Sequence, residues 1–444
     1  MKLMQTKYDD MTMGPLHGIR VLELTQAVAG PSCGRILAEM GAEVLKIESL
    51  EGDPYRNTNT VVPNEGKRFQ SLNLGKKSVA VDLKHPDGQQ LVHELVIDSD
   101  VLLTNFRFGV PERLGFGYEQ IRTINPRLIY ARITGFGSKS SQVDRPASDP
   151  MMQSYSGLTV NGGKLNEEGL PILANNTIAD YSAGMGAAIG VLGALLARTY
   201  TGTGQLVDAS LLRGALVLQD TAVMREPTYD AKVRDILADE IKKLKQRSGS
   251  FSEVNDLRES INRGGSIGIG KLIAGPRQVK DGVMTLGALT PANRAAAARA
   301  LEVTPDEVAI LSDKTHPEHE EQMEKILERT KLLFASRTVN EWTEIFNREG
   351  CPSAPVNIPE LMSDDPIVQE ADHMVELVHP VTGPQRVVAP LVDLSDTPTK
   401  IQHAATPLGS YTRQVLTQLG KSDEEISRLI DAKVIAEYLG PISD

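Results

Sequence analysis

The stretch GIRVLELTQAVAGPSCGRILAEMGAEVLKIE, residues 18–48, decides the fold. Residues 18–24 and 42–48 are two short apolar runs of strand character. Between them Pro31 suits a first helical position, Ile36, Leu37 and Met40 recur at helical spacing, and Gly41 is a natural helix stop. Strand, helix and strand in this order form a βαβ unit, whose strands run parallel. The expected fold class is therefore α/β, with a Rossmann-like parallel sheet covered by helices.

Working outward, the alternation continues. Strands are expected at 79–83, 101–104, 128–134 and 205–209. Helical patterns cover 85–97, part of 111–124, 179–198 and the segment from Leu211. Character changes near Met224: residues 229–263 are highly charged and helical in pattern, and a glycine-rich stretch follows at 263–270. A strand at 282–286 and helices near 291–301 and 318–335 complete a smaller α+β domain. A hairpin at 374–394 and a helix pair within 411–439 end the chain. The expected division is a large domain beginning at 15–215, a small domain at 225–350, a linker and hairpin at 351–394, and a return to the large domain at 395–444.

The 444 residues are 40% hydrophobic and 24% charged, a globular balance that argues against a disordered chain or a membrane bundle. With 47 basic against 58 acidic residues the net charge is −11, so no global basic footprint points to nucleic acid. An anionic ligand needs a local cluster of cations or backbone N–H groups. Two cysteines, Cys33 and Cys351, build neither a disulfide framework nor a closed zinc site, which fits a reducing compartment. MKLMQTKYDDMTMG has no apolar core of signal-peptide length, and residues 183–197 are too short and glycine-rich for a membrane span. A cytoplasmic location without membrane partners is expected.

Asp180 opens the long small-residue helix. It is either an N-cap or a carboxylate held at a positive helix end, able to act as a covalent nucleophile if water is excluded. Behind it lie Gly184, Gly186, Gly190 and Gly193. Each costs about 1 kcal/mol relative to alanine in a helix interior, which calls for close helix–sheet or subunit packing. Glu48 stands where a dinucleotide fold places its ribose-binding acid, but the first turn lacks G-x-G-x-x-G. A dinucleotide-binding Rossmann protein is thus an alternative reading. The eight histidines show no metal spacing, so no metal is expected.

Several ordered segments together resemble the family III CoA transferases, a family that includes formyl-CoA:oxalate and carnitine CoA-transferases and the related 2-methylacyl-CoA racemases. They are GIRVLELTQAVAGP (18–31), GAEVLKIE (41–48), GDPYR (52–56), LGKKSVAVDLK (74–84), TNF (104–106), ERLGF (112–116), NPRLIYARITGFG (125–137), SDPMMQSYSG (148–157), ADYSAGMGAAIGVLGALLAR (179–198), TGTGQLVDASLL (201–212), APVN (354–357) and TPLG (406–409). The resemblance covers roughly 15–215 and 340–435, whereas 229–279 matches poorly.

The resemblance implies an acyl-CoA:carboxylate CoA-transferase with Asp180 as nucleophile. It works through an aspartyl mixed anhydride and an aspartyl-CoA thioester. Coenzyme A and acyl-CoA are substrates, with small carboxylic acids as their partners, and no cofactor is bound permanently. Lys76, Asn105, Phe106 and Arg113 match positions near the CoA nucleotide. Val28 stands where formyl-CoA transferases have a Gln that orients the bound acid, and Gln26 lies two residues earlier. Asp149 and Gln153 match acceptor-side positions, and Gly264 and Gly265 match a glycine-rich covering loop. The racemase branch has a His where this chain has Ser148, which favours transfer over racemisation. The implied assembly is an interlocked homodimer.

Overall fold

In the computed structural model, which describes residues 13–262, 269–273, 275–313 and 315–440, strand β1 (Arg20–Leu24) and strand β2 (Glu43–Glu48) pair in parallel. Helix α1 (Ala29–Glu39) crosses between them. Pro31 and Ser32 sit in its first turn, and Gly41 beyond its end takes φ +95°, a left-handed value that glycine alone adopts without strain. The pattern extends through β3 (Lys76–Val81), β4 (Val101–Thr104), β5 (Ile129–Thr134) and β6 (Leu206–Ser210). The seven-stranded sheet runs Ile435–Ala436, β3, β2, β1, β4, β5, β6. All pairings are parallel except that of the C-terminal strand with β3.

Alternation along the strands feeds two cores. Val21, Val44, Val101, Leu103, Ile129 and Ile133 face α1 and the 24-residue helix Ile178–Thr201. Leu22, Leu45, Val79, Leu102 and Tyr130 face Leu91, Leu95 and Ile121, together with Val415 and Ile426 of the two C-terminal helices. Each such side chain contributes about 1.5–3 kcal/mol by leaving water. Strand β3 begins three residues earlier than its apolar pattern, because Lys76 is buried by ion pairing rather than by hydrophobicity.

That ion pairing lies beneath the C-terminal ends of the central strands. Glu23, Lys46 and Lys76 are all buried. Lys46 Nζ donates to Glu23 Oε1 (3.2 Å) and to the Thr25 carbonyl (2.9 Å), and pairs with Asp53 at 3.3 Å. Lys76 Nζ donates to Glu23 Oε1 (3.1 Å), Asn73 Oδ1 (2.9 Å) and the Pro31 carbonyl (2.8 Å). Gly34 makes room for the cluster, since a Cβ there would lie 1.8 Å from Glu23 Oε2.

The two compact units are discontinuous. One comprises the described residues up to Asn166, Pro171–Met224, and those from Pro366 onward, and carries the large sheet. The other comprises Glu167–Leu170 and Arg225–Asp365. The second unit is α+β. An antiparallel sheet of Pro276–Gln278, Val283–Leu286 and Ser353–Pro355 adjoins a core of stacked Trp342 and Phe346 with Phe334 beside them.

Helix Ile178–Thr201 is long and apolar enough to cross a membrane by composition. It packs instead against α1, β5 and β6. Two of its glycines explain the closeness. A Cβ on Gly184 would stand 2.0 Å from Ser32 Oγ and 2.6 Å from the Ala29 carbonyl, and one on Gly190 would stand 2.5 Å from Val207 Cγ1. Gly186 and Gly193 meet nothing within 4 Å. Gly184→Ala is therefore expected to destabilise the protein by about 1–3 kcal/mol, because a backbone carbonyl must move. Gly193→Ala meets nothing within its own chain, so it is expected to leave the packing of that chain undisturbed and to add up to about 1 kcal/mol of helix propensity. Urea denaturation of both variants checks this, and equal effects would contradict it.

Candidate active site

Asp180 is placed by a helix start that it does not cap. Thr177 occupies the N-cap position without a side-chain capping bond, and Asp180 is the third helical residue. This corrects the reading of Asp180 as the cap. The cap is supplied from 30 residues upstream. Asp149, buried in the first turn of helix Asp149–Tyr155, accepts the Ala179 N–H at 2.7 Å and the Asp180 N–H at 3.2 Å on Oδ1. Two of the orphan donors of the helix are thereby satisfied, and a negative charge stands at the positive end of the helix.

Gln153, one turn beyond Asp149, steadies the arrangement. Its Nε2 donates to Asp149 Oδ2 (2.6 Å) and to the Ala174 and Asn176 carbonyls (both 3.3 Å), while Oε1 accepts the Ala174 N–H at 3.0 Å. The chain entering the Asp180 helix is thus tied down. The Asp180 side chain remains free to line a cavity of about 830 Å³.

The electrostatics of Asp180 follow from this packing. Partial burial, and then the neighbouring charge of Asp149, push its carboxyl up to about 7, with Arg68 opposing the shift. A carboxyl poised near neutrality in a cleft has the character of a catalytic group. Strained, hydrogen-bonded backbone faces it. Ala27, a non-glycine residue with φ +64°, points its N–H at Asp53 (3.2 Å to Oδ2), and Asn105 clamps Gln26, its Oδ1 accepting the Gln26 N–H (3.0 Å) and its Nδ2 donating to the Gln26 carbonyl (2.7 Å). These loops follow β1 and β4, the neighbouring strands at which the sheet order reverses. Ligands of open α/β sheets bind at that switch point.

Most of the residues singled out in the sequence converge here. Gln26, Val28, Asn105, Phe106, Asp149 and Asp180 all line the large cavity. Arg113 lines an adjoining cavity of about 360 Å³, which shares Gln26 and Phe106 with the first. Gln153 acts from behind, through Asp149. Lys76 requires correction: its ammonium is buried among Glu23, Asn73 and Pro31 and lines neither cavity, so it is spent on the sheet rather than on a ligand phosphate. Gly264 and Gly265 lie outside the described residues.

Sequence reasoning missed Arg68, Arg107 and Arg145, which put three guanidinium groups on the large cavity. Arg107 directly follows the TNF motif and was findable as a cation beside it. Arg68 comes from a six-residue helix, Lys67–Leu72, and Arg145 from a loop, neither with a local signal.

Glu48 is not available to a ribose. It accepts Arg56 in a bidentate pair (2.8 and 2.7 Å), the Ser78 hydroxyl (2.6 Å) and the Asp53 N–H (3.0 Å). Burial would raise its carboxyl, but Arg56 and the hydrogen bonds hold it at about 2. The geometry removes the support for a dinucleotide reading.

Comparisons with known proteins identify the family. The chain matches the profile of CoA-transferase family III over residues 16–246 and 256–412. A formyl-CoA:oxalate CoA-transferase of Rhodopseudomonas palustris (strain ATCC BAA-98 / CGA009) is 30% identical over 434 residues, 95% of this chain and 97% of that protein. An acyl-CoA transferase of Fusarium pseudograminearum (strain CS3096) is 28% identical over 446 residues, 96% of this chain and 88% of that protein. A crystal structure of Rv3272 from Mycobacterium tuberculosis superposes with a TM-score of 0.70 at 25% identity, covering 91% of this chain and 100% of that one. The chain is a CoA-transferase and belongs to CoA-transferase family III.

Proposed function

We propose that the protein moves coenzyme A from an acyl-CoA to a free carboxylic acid through covalent attachment at Asp180. The observation that carries this reading is the Asp149 cap, which leaves an Asp180 carboxyl uncapped, partly buried and near neutral pKa on the switch-point cavity.

In the first half-reaction the Asp180 carboxylate attacks the thioester carbonyl. The C–S bond breaks, CoA leaves as thiolate, and an aspartyl–acyl anhydride remains. The thiolate attacks the aspartyl carbonyl, giving an aspartyl-CoA thioester and the first acid, which carries one Asp180 oxygen. The acceptor carboxylate then attacks the aspartyl thioester, and the released thiolate takes the acceptor acyl group, restoring Asp180. A carboxylate is a weak nucleophile, so orientation and partial dehydration must supply the rate. The fixed loops 25–28 and 105–108 supply orientation. Arg113 on the adjoining cavity and Phe106 between the two support a CoA site there, with the nucleotide toward Arg113. Ser148, exposed on the same cavity, offers no acid–base group near neutral pH for racemisation.

A homodimer is supported by the outer face of helix Ile178–Thr201. Tyr181, Met185, Ile189, Leu196 and Tyr200 are exposed there, with Gly186 and Gly193 among them. An apolar stripe of this kind fits an interface with a second copy.

The reactive form of Asp180 is the ionised one, so its population grows as pH rises through about 7. CoA release in a single turnover is expected to rise from pH 6 to pH 8 with a midpoint near 7. Asp149→Asn removes a charge that raises Asp180, so its midpoint is expected to move down in pH. Stopped-flow thiol detection reads both profiles. A flat wild-type profile, or a midpoint unmoved in the variant, would contradict the assignment.

For the assembly, light scattering at micromolar concentration is expected to give twice the chain mass. The double variant Ile189→Asp, Leu196→Asp is expected to lose that association. A wild-type monomer would sink the interface.

A further inference from the structure

Helices Pro291–Ala300, Pro305–Ser312 and Val339–Glu349 each follow a threonine that caps them. Thr290, Thr304 and Thr338 have extended backbone, with ψ 158°, 157° and 166°, and each accepts the N–H of the third helical residue on its hydroxyl. Thr177, before helix Ile178–Thr201, behaves differently. Its ψ is 69°, and it makes no side-chain capping bond. With φ −76° it is the centre of an inverse γ-turn, closed by the Ile178 N–H on the Asn176 carbonyl at 2.8 Å. The N–H that a threonine here ordinarily takes is that of Asp180, the third helical residue, and that group goes to Asp149 Oδ1 at 3.2 Å.

The Thr177 hydroxyl is held elsewhere. Arg68 Nη2 donates to its Oγ1 at 3.2 Å. Arg68 belongs to helix Lys67–Leu72, six residues that are too few to keep their place alone, and neighbouring side chains fix them. Buried Gln70 donates to Glu65 Oε2 (3.1 Å) and accepts Gln385 Nε2 (2.6 Å), and Arg35 Nη1 donates to the Ser71 carbonyl (2.8 Å). Arg68 Cζ lies 4.7 Å from the centre of the Tyr55 ring, a stacking contact that orients the guanidinium plane.

We propose that Arg68 is a positioning residue for the transfer: by holding the Thr177 hydroxyl it keeps Thr177 from capping its own helix and leaves the Asp180 N–H to Asp149. Two caps compete for one N–H. The γ-turn at Thr177 accompanies the Asp149 cap. The extended backbone of an ordinary threonine cap would open that turn and release the Ile178 N–H from the Asn176 carbonyl, which Gln153 also holds at 3.3 Å. Without Arg68 the hydroxyl is free, and the local cap displaces the distant one. The first turn that carries Asp180 then shifts relative to Asp149. The proposal rests on the reading of Asp180 as the nucleophile, and it requires no contact between Arg68 and substrate.

CoA release in a single turnover reads the positioning, with the fastest wild-type donor among formyl-, acetyl- and succinyl-CoA at saturation. Arg68→Leu is expected to slow release by roughly 2- to 30-fold, the preference that a threonine cap confers on a helix start. Adding Thr177→Val to Arg68→Leu removes the competing cap, so the double variant is expected to recover most of the rate although both side chains of the contact are gone. Adding Thr177→Ser instead leaves a hydroxyl able to cap, as those of Ser210 and Ser422 do, and that double variant is expected to stay slow. A crystal structure of Arg68→Leu is expected to show Thr177 extended, with its Oγ1 on the Asp180 N–H. An undiminished rate in Arg68→Leu overturns the proposal. So does a loss that Thr177→Val leaves unrecovered, which would mark Arg68 as a substrate contact, or a crystal structure with the Asp180 N–H still on Asp149. Asp180→Ala tests the underlying reading separately. Wild-type turnover in that variant ends the nucleophile assignment, while the crystal structure of Arg68→Leu still decides which side chain caps the helix.

Discussion

The site depends on one interaction, the acceptance of the Ala179 and Asp180 N–H groups by the Asp149 carboxylate. It joins two segments 30 residues apart, closes the start of the 24-residue helix, and leaves the Asp180 side chain unengaged. It also places one negative charge beside another. Burial first, and then the charge of Asp149, push the Asp180 carboxyl up to about 7. The same bond that shapes the helix start therefore sets the chemistry of the group three residues into it.

A second constraint lies below the cavity floor. Glu23, Lys46, Lys76 and Asp53 form a buried ionic cluster, an arrangement whose desolvation cost offsets much of its attraction. Burial, together with the charge of Lys46, brings the Lys76 ammonium down to about 8 even with Glu23 against it. Its structural return is positional. Lys46 holds the Thr25 carbonyl and Asp53 holds the Ala27 N–H, so the loop that faces Asp180 is pinned in a left-handed turn. Removing Glu23 would leave two lysines without their shared partner, which explains why Gly34 must stay small beside it.

The sheet was legible because its signals are local. Residues 18–48 carry alternating runs, a proline at the helix entry and a glycine at its exit, and the observed β1, α1 and β2 differ from the pattern only at their ends. Short elements were not legible. Helix Lys67–Leu72 is six residues and helix Asp149–Tyr155 is seven, too few turns to establish a period. Lys76 misled because the resemblance alone placed it near the CoA nucleotide, and only the fold brings Glu23 and Asn73 to meet its ammonium. Arg68 gave no signal, because its meaning arises from Thr177 and Tyr55, contacts that tertiary structure alone creates.

The central claim is that Asp180 passes through an anhydride with the acid it accepts. Exchange run with an acid labelled by oxygen-18 at both carboxyl oxygens tests this most directly. When the acceptor attacks the aspartyl thioester and the thiolate then takes its acyl group, one acceptor oxygen stays on the enzyme. Mass spectrometry of the proteolysed protein is predicted to find oxygen-18 in the carboxyl of Asp180 after turnover, and in no other side chain. Full turnover with Asp180 unlabelled would contradict the account, because it would mean that CoA passes between the two acids without bonding to this residue.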